Sequence, residues 1–572
     1  MEEYWREAPR QEGNAQLAAC LGISPMTVRL IRSRGVEGEE EIRKYLRGTL
    51  KDLHDPFQMK GMEKAVELLT EKIREGAPLR VIGDYDIDGV NATYILLTGF
   101  KRIGAQVDTV IPDRLKDGYG LNENLIRAAK AEGIDTIVTC DNGIAAAAEI
   151  ALGRELGMTL VVTDHHEVPF EEDAQGERHY LLPPAHVILN PKQADCPYPF
   201  KKLCGAAVAY KLIQALYRRH FIPEEELLDF LEFVAMATVG DIMELQGENR
   251  IFVRYGLERL EQTKNLGYRA LIMVNGLGEK KLTPYHVGFV LGPCINASGR
   301  LDTARRALNL LTSETWENAQ ELAGDLKALN DSRKELTIKG TEEAIALIES
   351  GAFGQDRVLV IYLPDCHESL AGIIAGRLKE RYYRPCFVLT RGEEGIKGSG
   401  RSIETYSMYE EMTKVKDLFA KFGGHPMAAG LSLKGEQVEE FRRRINEVCT
   451  LSREELMAVQ DFDGVLRLQY VGEQLLKELE LLKPYGKGNP QPLFAESGVR
   501  MKSGRVMGKD QNVLKLQLKT VQGAQMEGIY FGDGNRMLED MEAKESFSML
   551  YYPEVNEYMG KHTIQIVVKG VR

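Results

Sequence analysis

Val81-Ile82-Gly83-Asp84-Tyr85-Asp86-Ile87-Asp88-Gly89 is an apolar run that stops in three carboxylates and a glycine. Such a run reads as a buried parallel strand that delivers its last residues to an active-site loop. Two further stretches have the same form: Ile137-Val138-Thr139-Cys140-Asp141-Asn142-Gly143 and Leu160-Val161-Val162-Thr163-Asp164-His165-His166. Short strand candidates lie at Leu79 to Ile82, Gln106 to Ile111, Thr136 to Thr139, Thr159 to Thr163 and His186 to Leu189. Helix-like stretches at Asn91 to Arg102, Asn122 to Glu132 and Ala145 to Leu156 alternate with them. The alternation predicts an α/β fold with a doubly wound parallel sheet, whose ligands gather at the carboxyl ends of the strands.

Three acids in five residues, together with Asp141 and Asp164-His165-His166, are too much negative charge to crowd together unaided. A lone strand-end aspartate is usually a helix cap or turn residue; a cluster of this size exceeds that explanation. Alternate residues of an extended strand end point the same way, so Asp84, Asp86 and Asp88 are expected to converge. An EF-hand loop is rejected, because Ile95 falls where the twelfth-position glutamate would be. Mixed Asp/His ligation suits manganese or magnesium, and two such ions clamp a phosphodiester by activating water and stabilising the leaving oxygen. Asp86 or Asp141 is the candidate bridging ligand, and His165 and His166 are candidates for one ligand and one phosphate contact. No serine or cysteine stands beside a partner base, so covalent catalysis is the lesser reading. Arg114, Arg300, Ser399 and Arg401 lie beside Gly-rich stretches and are candidate phosphate contacts.

At 572 residues the chain is expected to form several domains. It is 44% hydrophobic and 28% charged, ordinary usage for a globular protein, and no apolar run approaches a membrane span. Eight scattered cysteines without a CxxC pair argue against a zinc ribbon or disulfide scaffold and fit a reducing cytoplasm. The net charge of -12 argues against nonspecific nucleic-acid binding, but acidic metal ligands inflate it. Residues 1–50 read as helical, with a helix-turn-helix-like spacing at 14–32 that is more simply a packing module. The stretch 292–302, Gly-Pro-Cys-Ile-Asn-Ala-Ser-Gly-Arg-Leu-Asp, is expected to be a loop, as are Lys397 to Ser402 and Gly423 to Gly430. Ser313 to about Ser350 is a long polar helix of the kind that bridges domains. A second α/β unit begins at Val358, and alternating strands after about 455 suggest a small antiparallel barrel. Tyr485, Phe494, Tyr530 and Phe531, with Lys487, Lys502, Arg505 and Lys509, are its candidate strand-binding residues, at least half of the aromatics being expected in the barrel core.

Asp164-His165-His166 is the signature of the DHH phosphoesterase superfamily, which the chain resembles. Over nearly its whole length it is similar to the bacterial single-stranded-DNA-specific exonuclease family. The carrying residues are Gly83 to Gly89, Ile111 to Arg114 with Gly118 to Leu121, Cys204 to Ala207, Ala237 to Asp241, Gly292 to Arg300, Lys397 to Ser402, and Gly423 to His425 with Ala428 to Gly430. The resemblance implies a catalytic domain at 51–311, a connecting helix at 312–350, a DHH-associated domain at 351–452 and an OB-like domain at 453–572, behind the N-terminal segment 1–50. It implies 5′-to-3′ removal of mononucleotides from single-stranded DNA with two manganese or magnesium ions, the strand threading between the α/β domains. By motif, Asp84, Asp86, Asp88, Asp141, His165 and Asp241 match metal-ligand positions; which two of the first three ligate directly stays open. His166 matches a catalytic or phosphate-contact position. Arg114, Arg300, Ser399 and Arg401 match positions that hold the strand and its 5′ phosphate, and His367 and His425 match contacts in the second domain. Only the resemblance singles out Asp241. The chain departs from the expected pattern at Cys366 to Leu370 and at Gly240, where alanine is usual. A monomer in the cytoplasm is expected, with a helicase and a single-stranded-DNA-binding protein as partners. The alternatives are a phosphodiesterase for short RNA or cyclic dinucleotides, and an inactive replication scaffold.

Overall fold

The computed structural model describes residues 3–113, 120–173, 176–392, 395–435, 437–558 and 561–572. Arg114 and the Gly118-Tyr119 pair lie outside the described residues. Five parallel strands form the first sheet, in the order Val107–Val110, Leu79–Ile82, Thr136–Cys140, Thr159–Thr163, Val187–Leu189. Leu79–Ile82, Thr136–Cys140 and Thr159–Thr163 are buried at every residue, as strands covered by helices on both faces must be. The chain leaves Leu79–Ile82 for one side of the sheet and then returns to its other side. The topological switch point therefore falls between the strands that end at Gly83 and Asp141, where a ligand crevice opens.

Helices Ile87–Arg102, Gly205–Arg219 and Leu231–Gly240 pack against this sheet and one another in a single core. Gly205–Arg219 is buried over its first thirteen residues. The stretch expected to be a loop at 292 is instead the helix Gly292–Leu301, running straight on from a π-helical turn at Val287–Leu291. Turn-type residues misled the reading: Pro293 closely follows the π-helical turn inside a run that is helical from Pro284 to Leu301, and the Ser298 hydroxyl donates back to the Ile295 carbonyl.

Helix Trp316–Leu347 has 32 residues and so spans about 48 Å. Ala319, Ala323 and Leu326 near its start belong to the catalytic-unit core, whereas Ala344 belongs to the core of the second unit. That unit carries a mixed sheet in the order Phe419–His425, Ala428–Leu433, Gly395–Arg401, Cys386–Gly392, Leu359–Tyr362, with only the last pairing parallel. The two Gly-rich stretches expected to be loops lie mainly in its strands. Glycine there answers close packing: a Cβ on Gly400 would sit 2.4 Å from the Met408 sulfur.

The C-terminal strands Phe494–Met507, Val513–Thr520, Gln525–Phe531, Lys561–Val571 and Phe547–Tyr558 close into a ring. All of its pairings are antiparallel except Gln525–Phe531 with Lys561–Val571. The N-terminal segment is joined to this barrel. Its strand Glu3–Glu7 pairs in parallel with Ala458–Phe462, and Val28, Ile31, Ile42 and Leu46 share a core with Leu466, Leu479 and Leu482. Among the described residues no helix is long and apolar enough to cross a membrane, and all eight cysteines are free.

Candidate metal centre

The acids at the switch point converge, but not as alternate residues of one strand. The chain turns helical directly after Tyr85: Asp86 caps helix Ile87–Arg102, its carboxylate accepting from the Asp88 and Gly89 amides at 2.9 and 3.1 Å. Asp88 therefore lies in the first helical turn and points elsewhere. Its carboxylate accepts from the Gly205 and Ala206 amides at 2.6 and 2.7 Å, at the N-terminus of helix Gly205–Arg219. Asp84, Asp86 and Asp141 each offer a ligand atom, all within 4.8 Å of one another; Asp88, His165 and Asp241 form a second such triad, and Asp141, His165 and His166 a third. His165 Nε2 lies 3.0 Å from Asp141 Oδ1, 3.5 Å from Asp88 Oδ2 and 3.7 Å from Asp241 Oδ2, joining the groups. Gly205 permits this closeness, since a Cβ there would come within 2.7 Å of Asp141 Cβ.

Asp164 has a different task. Its Oδ2 accepts from the Ile144 amide at 2.9 Å, and its Oδ1 from the His165 and His166 amides at 2.7 and 3.1 Å. The same oxygen lies 2.8 Å from His166 Nδ1. This carboxylate is fully engaged in orienting the two histidines, the kind of support that metal-site ligands require.

The electrostatics describe a site built for cations. Burial pushes the Asp88 carboxyl well above its ordinary range, and Asp241 and Asp86 push the same way. Burial does the same to Asp141, reinforced by Asp88, Asp86 and Asp84. Burial, then Asp86, raises Asp241 to about 7. Burial and then His166 lower His165 to about 3, leaving a neutral imidazole with a lone pair to offer. Burial opposes charge on His166, yet the hydrogen bond and charge of Asp164 raise it to about 9. Asp141 Oδ1 is buried and accepts no well-formed hydrogen bond. Crowded carboxylates, a neutral imidazole and an unsatisfied buried oxygen fit divalent cations, whose charge removes the repulsion. Backbone strain marks the same place: Asp141 and Ile242, which follows Asp241, have φ of 61° and 55°, a region non-glycine residues rarely adopt.

The outer residues are more dispersed. Arg300, on helix Gly292–Leu301, donates to the Ser369 carbonyl of the second unit at 3.1 Å. His367 caps helix Glu368–Tyr382, its Nδ1 2.8 Å from Ser369 Oγ, so Arg300 and His367 meet the same residue. The departure at Cys366 to Leu370 leaves the Arg300 contact intact, because the acceptor is backbone. Ser399 and Arg401 lie on strand Gly395–Arg401; Arg401 donates to the Gly400 carbonyl at 2.7 Å. His425 is exposed at the end of its strand. Residue types and spacing did not reveal Asn296, whose Oδ1 accepts from the Ile87 amide at 2.8 Å and pins the metal-site helix to Gly292–Leu301. No local signal could have found it, since the contact joins residues 209 apart.

Comparison with known proteins places these features in company. The family model "DHH family, N-terminal domain" matches residues 78–238, "DHHA1 domain" residues 355–451, and "RecJ OB domain" residues 462–570. The single-stranded-DNA-specific exonuclease RecJ of Bacillus subtilis is 35% identical, over 98% of this chain and 70% of its own length. The same-named protein of Escherichia coli is 34% identical over 96% of both chains. Among solved structures, RecJ from Thermus thermophilus in complex with Mn2+ matches all of this chain and 79% of its own, with TM-score 0.82 and 28% identity.

Proposed function

Since the chain belongs to the RecJ family of single-stranded-DNA-specific exonucleases, we propose that it hydrolyses single-stranded DNA from the 5′ end to mononucleotides in a metal-dependent reaction serving DNA repair and recombination. The observation that carries this reading is the pair of triads at the switch point, linked where His165 Nε2 lies 3.0 Å from Asp141 Oδ1. Asp84, Asp86 and Asp141 would hold one manganese or magnesium ion, and Asp88, His165 and Asp241 the other, with Asp141 as the shared ligand. When bound, the ions supply water activation and charge stabilisation at the leaving oxygen.

The chain's own residues do the rest. Asp164 keeps His166 positively charged, and His166, half-exposed beside the triads, offers that charge and its proton to a phosphate. Arg300 ties the catalytic unit to the second unit through the Ser369 carbonyl, and His367 holds the Ser369 hydroxyl within the second unit, beside the cleft the strand would cross. Arg114, Ser399 and Arg401 would hold the terminal 5′ phosphate and so set polarity, with His425 at the rim of the second unit. The same reading divides the chain at 1–50, 51–311, 312–350, 351–452 and 453–572, and takes it as a cytoplasmic monomer working with a helicase and a single-stranded-DNA-binding protein.

The test is digestion of end-labelled single-stranded DNA, with and without a 5′ phosphate, in Mn2+. Mononucleotides should be released from the 5′ end, faster with the phosphate, and Asp141→Ala should remove the activity while leaving the fold intact. Products shortening from the 3′ end would overturn the polarity. Full activity in Asp141→Ala would overturn the metal centre.

A further inference from the structure

A cavity of about 540 Å3 opens in the catalytic unit at the far ends of two helices that carry metal-site acids. Helix Ile87–Arg102 begins at Asp86 and Asp88. Its other end lines the cavity through Tyr94, Thr98 and Lys101, spaced four and three residues apart on one face. Helix Leu231–Gly240 runs the opposite way: Glu232 and Phe233 in its first turn line the cavity, and Asp241 follows its last residue. The two helices pack on each other. Leu311, Thr312 and Ser313, which lead into the long helix Trp316–Leu347, form a further wall. The volume suits a ligand of nucleotide size.

Buried polar contacts join the cavity to the metal site. Asn265 lines the cavity and caps helix Leu266–Val274, its Oδ1 accepting from the Tyr268 amide at 2.9 Å. The buried Tyr268 hydroxyl donates to Asn91 Oδ1. The Asn91 side-chain amide donates to the Ile87 carbonyl at 2.7 Å, in the turn that presents Asp88.

Charge selects the ligand. Asp229 is shared by Arg102 and Arg259, at 3.0 and 3.1 Å, and Arg102 also reaches Glu226 at 3.4 Å. Burial raises Glu232 to about 7, so near neutral pH it carries only part of a charge. Lys101 and Lys264 also line the cavity and join no ion pair among the described residues. Cations therefore outnumber ionised acids, and the favoured guest is an anion. Leu97, Leu266 and Leu311 add an apolar wall, and Thr98, Asn265 and Ser313 add polar groups. A molecule with a phosphate at one end and a flat, hydrogen-bonding heterocycle at the other meets all three surfaces.

We propose that this cavity is an effector site for a nucleoside monophosphate, with Lys101 and Lys264 on the phosphate and the leucine wall against the base, and that its occupation steadies the two metal-bearing helices. The effect on the metals rests on the metal-centre reading above; the binding site does not. Nucleoside monophosphates are what that reading releases, so the site would let the protein sense its own product.

Calorimetric titration of the full-length protein in EDTA with dAMP, deoxyadenosine and inorganic phosphate reads the binding. Hydrogen exchange locates it: amides at 97–104 and 259–266 should exchange more slowly with dAMP present. Lys101→Ala/Lys264→Ala should weaken dAMP binding about tenfold and lose that protection. Deoxyadenosine and inorganic phosphate should each bind more weakly than dAMP. Mn2+ affinity, titrated with and without saturating dAMP, should rise about fivefold in the wild type and stay unchanged in the double variant. Unchanged dAMP affinity in the double variant, or protection confined to the metal centre, overturns the site. Inorganic phosphate binding as tightly as dAMP overturns its assignment to a nucleotide, and Mn2+ affinity indifferent to dAMP overturns the effector role. A wild-type protein that binds no Mn2+ would overturn the metal centre instead, and the dAMP titration and exchange would still decide the cavity.

Discussion

Asp241 shows how much of this site is a matter of single residues in a crowded field. Its carboxyl is raised to about 7, by burial first and then by Asp86. An acid raised above its unfolded value weakens the fold as pH rises from near 4 through 7, and costs nothing below that range. Asp241→Asn should therefore stabilise the metal-free protein at pH 8 by about 1 kcal/mol, allowing for its partial exposure, and leave it unchanged at pH 4. Urea midpoints in EDTA at the two pH values check this; an equal or lower midpoint at pH 8 would count against like-charge crowding. Gly240 beside it, where alanine was expected, has a steric reason. A Cβ there would come 2.5 Å from Ile87 Cγ2. Asp84, Asp86 and Asp141 were legible because each ends an apolar strand. Asp241 follows an apolar helix and carries no such signature, and Asp164 was legible as a residue but not in its orienting role.

Elements were read best where hydrophobic periodicity is strong. The strands Leu79–Ile82 and Thr159–Thr163 fall where β-branched runs place them. Helix Gly292–Leu301 was misread because Gly, Pro, Asn and Ser are turn residues by propensity, and tertiary packing overrode it. Helix Leu231–Gly240 holds a less visible feature. Glu232 is 4% exposed, accepts a hydrogen bond from the Thr263 hydroxyl at 2.5 Å, and is raised to about 7, mainly by burial. Folded protein binds its proton more tightly than unfolded protein, so stability falls as pH rises from about 4.5 towards 7. Glu232→Gln keeps an acceptor for Thr263 and should stabilise by up to about 3 kcal/mol at pH 8 and by little at pH 4.5. Melting temperatures of the two proteins at both pH values test this, and a difference independent of pH would refute the buried-acid account.

Across the whole molecule, the barrel and the N-terminal segment are latched to the catalytic unit by one buried arginine. Arg250 donates to the carbonyls of Tyr45, Leu482 and Leu481 at 2.8, 2.9 and 2.9 Å, with its guanidinium 3.9 Å over the Tyr45 ring. Gln246 donates to the carbonyls of Arg34 and Gly488, and the Leu245 amide to that of Lys487. Arg250→Ala would remove the side-chain donor from the Tyr45 and Leu481 carbonyls, while Leu482 keeps the Asn489 amide and the Tyr45 hydroxyl, a cost of about 2 kcal/mol or more. The barrel should then melt in a separate calorimetric transition, and digestion of long strands should release more intermediates than in the wild type. A single unchanged transition would show that the latch is dispensable. The amino-acid sequence by itself determined the parallel sheet, the acidic strand ends and the long bridging helix, because periodicity and β-branching act over a few neighbouring residues. Only the tertiary structure decided that the acids and histidines group into triads of close ligand atoms, and that Asp88 reaches the Gly205 amide 117 residues away. Those are contacts between distant segments, and no local pattern in a chain encodes which of its distant segments will meet.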